Sequence, residues 1–248
     1  MRVAIVIPAR FASMRLPGKP LLRDTGKYLI QHVYELASRA RCAQDVIVAT
    51  DDTRILDAVE SFGGRAAMTR ADHPSGTDRI AEVARGLNAD VVVNLQGDEP
   101  QFDPTDLDAL CQLMAGNTPM ATLATPIRNL DDYRNPNIVK VVRNGVGDAL
   151  YFSRSPIPMV RDGEPDFAGE QFLQHLGIYA YRRDVLLRLA DLPPAELERT
   201  EKLEQLRALA HGIPIRVGVI PVAHKGVDTP ADYEAFVRSY RAAGANPG

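Results

Sequence analysis

Residues 3–10 read VAIVIPAR, five consecutive apolar residues followed by a proline, an alanine and a cation. An apolar run without alternation predicts a strand that is buried on both faces. Two more such runs follow, DVIVAT at 45–50 and DVVVNL at 90–95, and a segment with helical periodicity comes after each of the three. Strands and helices that alternate in this way indicate an α/β fold with a mostly parallel sheet flanked by helices.

Apolar residues spaced three and four apart predict the helices of the first half. These helices span about 28–40, 55–62 and 80–87, and a fourth begins at Asp103-Pro104. Either Asp51 or Asp52 could cap the second helix.

The second half follows a different pattern, because strands at 138–142 and 149–152 flank a glycine-rich turn and predict a hairpin. Next come a strand at 176–181, a helix at 200–210, a strand at 215–222 and a closing helix at 230–240. We therefore predict one domain, 1–248, with an antiparallel insertion at roughly 128–182.

Composition limits the possible partners. The 248 residues carry a net charge of -3, which argues against a general nucleic-acid binder, since such proteins need a basic face. No apolar run approaches the roughly 20 residues of a membrane span, so no membrane partner is expected. Cys42 and Cys111 are isolated and more typical of buried thiols in a cytoplasmic protein than of a disulfide.

The loop after the first strand is rich in cations and prolines. It carries Arg10, Arg15 and Lys19, but Pro20 stands where a phosphate-binding P-loop needs serine or threonine, so the P-loop interpretation fails. In open parallel sheets, ligands bind beyond the carboxyl ends of the strands. We expect a stiff cationic loop around a triphosphate; the alternative is a solvated basic loop.

Two carboxylate motifs also follow predicted strands. Asp98 lies in QGDEP, directly after the third run, and Asp228 lies in GVDTP, before a predicted helix. Mg²⁺ prefers one or two carboxylates together with phosphate oxygens, so either residue could be a metal ligand. The alternatives are a simple turn at Asp98 and a helix N-cap at Asp228 or Thr229, and the residues alone favour the cap.

Each of three further segments has both a structural and a functional interpretation. The polar loop at 68–78 could bind a ligand, or could supply an N-cap at Ser75 or Thr77. Alternation at 175–181 places His175, Gly177, Tyr179 and Tyr181 on one face, which forms either a polar pocket wall or an ordinary solvent-facing side. Glu204 and Gln205 are expected by default on a solvated helix edge.

Six motifs in register resemble the 3-deoxy-manno-octulosonate (KDO) cytidylyltransferase family. They cover nearly the whole chain and read IPARFASMRLPGKPL, MTRADHPSGTDRIAEV, VVNLQGDEP, HLGIYAYR, LEQLR and GVDTPADYE. The resemblance implies a nucleotide-diphospho-sugar transferase fold and a homodimer formed through the antiparallel insertion. It also implies a cytoplasmic enzyme that converts CTP and KDO, with Mg²⁺, into CMP-KDO and pyrophosphate for lipopolysaccharide biosynthesis.

The same resemblance assigns roles to individual residues. The catalytic residues would be Asp98, Asp228, Lys19 and Arg10, of which Asp98 and Asp228 would bind Mg²⁺. Nucleotide binding would involve Pro8, Ala9, Arg10, Arg15, Lys19, Arg70, Ser75, Gly76, Thr77 and Asp98. The KDO pocket would comprise Gln96, Arg154, His175, Tyr179, Glu204 and Gln205.

Two positions depart from the family pattern. Tyr28 stands where the family usually has proline, and Met159-Val160 stands where many members have Trp-Asp. An amino-substituted KDO, another sugar acid, and a catalytically silent nucleotide-binding relative therefore remain as alternatives.

Overall fold

The computed structural model of the protein describes residues 1–12 and 16–244. The chain divides into two units, the first formed by Met1–Asp108 with the described residues from His224 onward, and the second by Ala109–Ala223. The α/β class is confirmed. The organisation as one domain with an insertion at 128–182 stays a prediction.

The first unit contains a four-stranded parallel sheet in the order β3-β2-β1-β4. Its strands are β1 (Val3–Ala9), β2 (Asp45–Thr50), β3 (Ala66–Met68) and β4 (Val91–Asn94). The three apolar runs became β1, β2 and β4 as predicted. Sequence analysis missed β3, which is only three residues long and half exposed.

Four helices follow these strands, namely α1 (Leu29–Ala37), α2 (Thr53–Ser61), α3 (Gly76–Arg85) and α4 (Pro104–Gln112). The structure decides between the proposed caps. The Asp52 side chain accepts a hydrogen bond from the Arg54 backbone at the start of α2, and Ser75 does the same for the Asp78 backbone in α3. Both carry out ordinary N-capping of exposed backbone donors.

The second unit holds the antiparallel pairs. Its elements are β5 (Met120–Pro126), α5 (Leu130–Arg134), β6 (Lys140–Arg143), β7 (Ala149–Ser153), β8 (Leu173–Arg182), α6 (Arg183–Asp191), α7 (Glu196–Glu201), α8 (Gln205–Ala210) and β9 (Ile215–Val219). β5 lies between β8, to which it is antiparallel, and β9, to which it is parallel. The predicted hairpin is confirmed as β6 and β7, and β6 also pairs with β8.

The prediction of a single helix at 200–210 is wrong. Lys202 adopts a left-handed backbone conformation with φ 55°, which ends α7 and separates it from α8. An ion pair across the break holds it in place, because the Arg207 guanidinium donates to both carboxylate oxygens of Glu198 at 2.9 and 2.6 Å. Spacing of apolar residues does not reveal such a break, since the periodicity continues through it.

The last helix, α9 (Pro230–Gly244), returns to the first unit. Its residues Tyr233, Phe236 and Val237 pack with Leu29 of α1 and with Val227, the residue before Asp228. This packing fixes the segment that carries Asp228. Among the described helices, none has both the length and the apolar character needed to cross a membrane.

Candidate active site

Charged residues gather at the carboxyl ends of the parallel strands in the first unit. Lys19 lies in a short 3-10 helix, Lys19–Leu21, that follows β1, and its Nζ donates to Asp98 Oδ2 at 2.6 Å and to the Val227 carbonyl at 2.9 Å. The same ammonium lies 3.5 Å from Asp228 Oδ1. Two carboxylates 130 positions apart in sequence are thus brought together around one cation, as the metal-site hypothesis requires.

The backbone turn that delivers Lys19 depends on glycine. Gly18 has φ 67°, and its amide donates to the Phe11 carbonyl at 3.1 Å. A Cβ at this position would lie 3.2 Å from the Phe11 ring. Left-handed backbone and tight space together favour glycine immediately before the lysine.

The loop that carries Asp98 packs closely against β1. A Cβ on Gly97 would lie 3.0 Å from the Pro8 carbonyl, so only glycine fits there without displacement of the backbone. The Asp98 carbonyl accepts a hydrogen bond of 2.8 Å from the Val227 amide. Asp98 and the segment before Asp228 are therefore joined through the backbone as well as through Lys19.

Thr229, rather than Asp228, caps helix α9. The Thr229 hydroxyl accepts from the Asp232 amide at 3.2 Å, and the Asp232 carboxylate accepts from the Thr229 amide at 3.0 Å, which forms a capping box. Hydrogen bonds from Lys225 and Thr229 hold the pKa of Asp232 well below its usual range. The predicted N-cap is therefore confirmed at Thr229 and not at Asp228, whose carboxylate faces Lys19.

Glu99 is an acidic residue beside this cluster to which the sequence analysis assigned no role. Burial, reinforced by the neighbouring charge of Asp98, raises the pKa of the Glu99 carboxyl to about 7. Its methylene group lies close to Gly226 on the opposite segment. Acidic groups that are partly buried beside one another are a common feature of functional sites.

The residues predicted to contact the nucleotide lie on the same unit. Pro8 and Ala9 end β1, and a Cβ on Gly76 at the start of α3 would lie 3.6 Å from the Pro8 ring. Arg10 donates to the His73 carbonyl at 2.7 Å, and buried His73 bonds through its ring to Glu82. The end of β1 is thus tied to the loop at 68–78, which carries residues predicted to bind the nucleotide.

The other predicted nucleotide residues differ in their surroundings. The Arg70 side chain is exposed, whereas Thr77 is buried in the first turn of α3 and Ser75 caps that helix. Arg15 lies outside the described residues. Their roles in binding stay predictions.

A buried arginine supports the loop at 69–75 and was not singled out from the sequence. Arg79 is fully buried, and its guanidinium donates to the Asp51 carboxylate at 3.0 Å and to the Thr69 hydroxyl. Thr69 in turn donates to the Thr50 carbonyl at the end of β2. The only signal in sequence was an arginine on the apolar side of α3.

The second unit carries most of the predicted sugar-acid residues. The rings of His175 and Tyr179 have centroids 5.3 Å apart, and those of Tyr179 and Tyr181 are 5.9 Å apart, so the predicted common face of β8 is confirmed. Burial lowers the pKa of His175 to about 3 and raises that of Tyr179 well above its usual value. Both groups are therefore neutral near pH 7, and this face is not an ordinary solvent-facing side.

Glu204 and Gln205 differ in burial, although the sequence analysis placed both on a solvated helix edge. Glu204 is exposed as expected, but the solvated edge is wrong for Gln205, which is 5% exposed. The Gln205 Nε2 is buried without a hydrogen-bond partner in the described structure. An unsatisfied buried donor is costly, and it is often explained by a missing ligand or water.

Arg154 is held by backbone carbonyls. Its Nε donates to Glu201 at 2.8 Å, and its terminal nitrogens donate to Pro136 and Lys202 at 3.0 and 3.4 Å. The Glu201 carboxylate accepts from the Arg154 amide at 3.0 Å. Arg154 thus orders the end of α7, and its contact with a sugar acid stays a prediction, as does that of Gln96, which follows β4 on the other unit.

The acidic pair has the donor set that suits magnesium. In the part of the chain that the structure describes, no group of three or more histidine, cysteine or acidic side chains could hold a metal ion. Two carboxylates already accommodate one cationic group, the Lys19 ammonium. Mg²⁺ commonly binds to one or two carboxylates and completes its shell with phosphate oxygens and water, so Asp98 and Asp228 fit it.

A parallel sheet with a cationic loop and paired carboxylates at its strand ends is the arrangement of a nucleotidyltransferase. The cytidylyltransferase family model matches residues 4–215. With the relatives described next, this match shows that the chain belongs to the 3-deoxy-manno-octulosonate cytidylyltransferase family.

Several relatives from different bacteria bear that name. The one from Syntrophobacter fumaroxidans is 55% identical over 242 residues, covering 96% of each chain. The one from Geobacter sulfurreducens is 51% identical over 252 residues, covering 97% of this chain and 100% of the relative. A solved structure of CMP:2-keto-3-deoxy-manno-octonic acid synthetase complexed with CTP matches with a TM-score of 0.93 and 48% identity, covering 98% of this chain and 100% of that one.

Proposed function

We propose that the protein activates KDO by cytidylyl transfer, in which CTP and KDO give CMP-KDO and pyrophosphate. The observation that carries the proposal is the convergence of Lys19, Asp98 and Asp228 at the strand ends of the first unit. A nucleotide-binding protein without catalysis has no evident need for two carboxylates and a lysine in one cluster. The identity of the sugar acid, KDO, is inferred from the names of relatives that are about 50% identical to this chain.

The reaction is an in-line displacement at phosphorus. The C2 hydroxyl of KDO forms a bond to the α-phosphorus of CTP and gives up its proton to solvent. The bond between the α-phosphorus and the oxygen bridging to the β-phosphate breaks as pyrophosphate leaves. Catalysis of such a transfer rests mainly on positioning and charge stabilisation, so no covalent nucleophile is required. Lys19 and Arg10 are the described cations suited to neutralise charge on the phosphates.

Asp98 and Asp228 would hold the magnesium ion. When bound, Mg²⁺ supplies a Lewis acid that offsets phosphate charge. Lys19 keeps the two carboxylates close through its bonds to both, and the Asp98 carbonyl fixes the segment before Asp228 through the Val227 amide. These contacts orient the acidic pair at the strand ends.

Three of the proposed sugar-acid residues of the second unit, His175, Tyr179 and Gln205, are neutral. His175 and Tyr179 are uncharged near neutral pH, and Gln205 offers a buried donor. Such groups suit the hydroxyls of a sugar acid, whose recognition depends on hydrogen bonds in defined directions.

A coupled pyrophosphate assay tests the proposal. We expect release only when CTP, KDO and Mg²⁺ are all present, with EDTA abolishing it and Mg²⁺ restoring it. Other nucleoside triphosphates should give little release. Equal rates with an amino-substituted KDO or sialic acid would contradict the assignment to KDO, and CTP binding without turnover would identify a silent relative.

We further infer a homodimer that works in the cytoplasm and supplies lipopolysaccharide biosynthesis. The hairpin of the second unit carries two apolar side chains that are largely exposed, Val146 at 67% and Leu150 at 61%, and these support an interface there. Light scattering should give twice the chain mass of 27.2 kDa. A monomeric mass would contradict the dimer, and L150E should weaken it.

A further inference from the structure

Thr122 is a buried hydroxyl in the middle of β5 that faces three groups of β8. Its Oγ1 lies 2.7 Å from the Ile178 carbonyl, 3.1 Å from the Leu176 carbonyl and 3.1 Å from His175 Nε2. The pairing register of β5 and β8 shifts between Thr122 and Leu123, so that Gly177 and Ile178 form a bulge. The hydroxyl therefore lies against an irregular part of the strand.

The number of protons available around Thr122 Oγ1 determines which nitrogen of the His175 ring carries a proton. A threonine hydroxyl has one proton to donate, and a carbonyl oxygen can only accept. If that proton pointed to His175, both carbonyl oxygens would face Oγ1 without a hydrogen between them. The proton consequently goes to a carbonyl, and His175 Nε2–H donates to Thr122 Oγ1.

The other ring nitrogen of His175 is left as an acceptor. A neutral imidazole with its proton on Nε2 has a lone pair on Nδ1. No residue within 1–12 or 16–244 forms a hydrogen bond with this Nδ1. His175 is 9% exposed and is flanked by the rings of Phe152 and Tyr179. Burial keeps the ring neutral throughout the ordinary pH range.

We propose that Thr122 is a positioning residue that holds His175 as the Nε2–H tautomer, so that Nδ1 accepts a hydrogen bond from a hydroxyl of the sugar acid. This inference rests on the proposed function. It assigns a direction to the contact, because a neutral histidine held in this way selects a hydroxyl donor and disfavours a substituent that can only accept. Gln205 Nε2, the buried amide nitrogen without a partner, would complement this acceptor by donating a hydrogen bond to an oxygen of the sugar acid.

The tautomer is measured directly on the wild-type protein. Long-range ¹H–¹⁵N spectra of ¹⁵N-histidine-labelled protein distinguish the two nitrogens of a neutral ring, and H175Q identifies the His175 signal among the five histidines. We expect the proton on Nε2. A proton on Nδ1 would overturn the proposal whatever the enzyme does.

Kinetics of T122V test the functional consequence. The KM for KDO should rise about tenfold, as expected for one misdirected hydrogen bond, while the KM for CTP stays within about twofold. T122S, which keeps the hydroxyl, should restore the KM for KDO and the wild-type spectrum. T125V removes another buried hydroxyl of β5 and is the matched control, with no change expected.

An unchanged KM for KDO in T122V, or an equal rise for both substrates, would overturn the proposal. If T122V does not fold, T122S and the wild-type spectrum decide between the tautomers. Failure of the proposed function would look different, since the wild-type protein would then release no pyrophosphate from CTP and KDO.

Discussion

The Lys19 cluster of the first unit (Lys19, Asp98 and Asp228) and the ring row of β8 in the second unit (His175, Tyr179 and Tyr181) differ in charge and in burial. Lys19, Asp98 and Asp228 are charged, partly exposed and joined by ion pairs. His175 and Tyr179 are neutral because burial shifts both pKa values away from the charged form. Under the proposed function, the first region would act on its ligands through charge, and the second would act through the direction of its hydrogen bonds.

This difference has a physical reason. Phosphates and a divalent cation carry several charges, and their binding improves as local charges are matched. A sugar hydroxyl carries none, so a charged partner in a buried place would cost more in desolvation than it gains. Three substitutions probe the contrast and a fourth probes the break between α7 and α8, in order from the largest expected effect to the smallest.

D98N removes one charge from the Lys19 cluster without changing its shape. We expect kcat to fall about 10³-fold, which corresponds to about 4 kcal/mol of lost transition-state stabilisation. The pyrophosphate assay measures the fall, and circular dichroism should show an unchanged fold. D57N changes an exposed aspartate of α2 and should leave turnover intact; equal activity of D98N and D57N would refute the role of Asp98.

H175Q tests the neutrality of the ring row through stability. The unfolded chain protonates this histidine below pH about 6.5, whereas the folded protein resists protonation down to about pH 3. Folding stability is therefore lost as pH falls through this window, by about 2 kcal/mol between pH 7 and pH 5. Urea unfolding should show that H175Q removes this part of the loss.

H211Q is the matched control for that measurement, because His211 is exposed. Its unfolding free energy should keep the pH dependence of the wild type. If H175Q also keeps it, folding does not lower the pKa of His175, and burial does not hold this ring neutral below pH about 6.5.

Q205M replaces the unpartnered buried amide with an apolar side chain of similar size. The KM for KDO should rise about tenfold, while the free energy of unfolding stays equal or increases by about 1 kcal/mol, since no internal hydrogen bond is lost. Q112M, at an exposed position, should change neither. A clear loss of stability in Q205M would mean that the amide has a structural partner.

K202G removes the backbone strain of Lys202, the residue with a left-handed conformation between α7 and α8. Lysine is unfavourable at positive φ, so glycine should stabilise the protein by about 0.5–1 kcal/mol. The reverse change, G212A at φ 70°, should destabilise it by about 1 kcal/mol. Thermal unfolding of both variants checks the pair, and destabilisation by K202G would contradict the assigned backbone conformation.

Much of the fold was predictable because its signals are local. The three apolar runs became β1, β2 and β4, and the glycine-rich turn gave the hairpin. β5 was missed although all seven of its residues are buried, since MATLATP is rich in small and polar residues and ends in proline. Its burial comes from strands on both sides, β8 and β9, which no local pattern reveals.

The candidate site was predictable in its residue types but not in its contacts. Asp98 and Asp228 could be named from strand-end motifs, yet whether they meet depends on a lysine 79 residues from one and 209 from the other. Glu99, Arg79 and Thr122 gave almost no signal, because their importance comes from burial and from partners distant in the chain.

The sequence by itself determined the alternation of strands and helices, the cationic loop and the family, since periodicity, composition and ordered motifs are properties of neighbouring residues. Only the tertiary structure decided that Thr229 caps α9 while Asp228 faces Lys19, that Gln205 is buried, and which nitrogen of His175 carries its proton. Each of these results depends on which residues, distant in the chain, pack next to one another with little water between them. In such places a single proton or a single charge determines which hydrogen bonds can form.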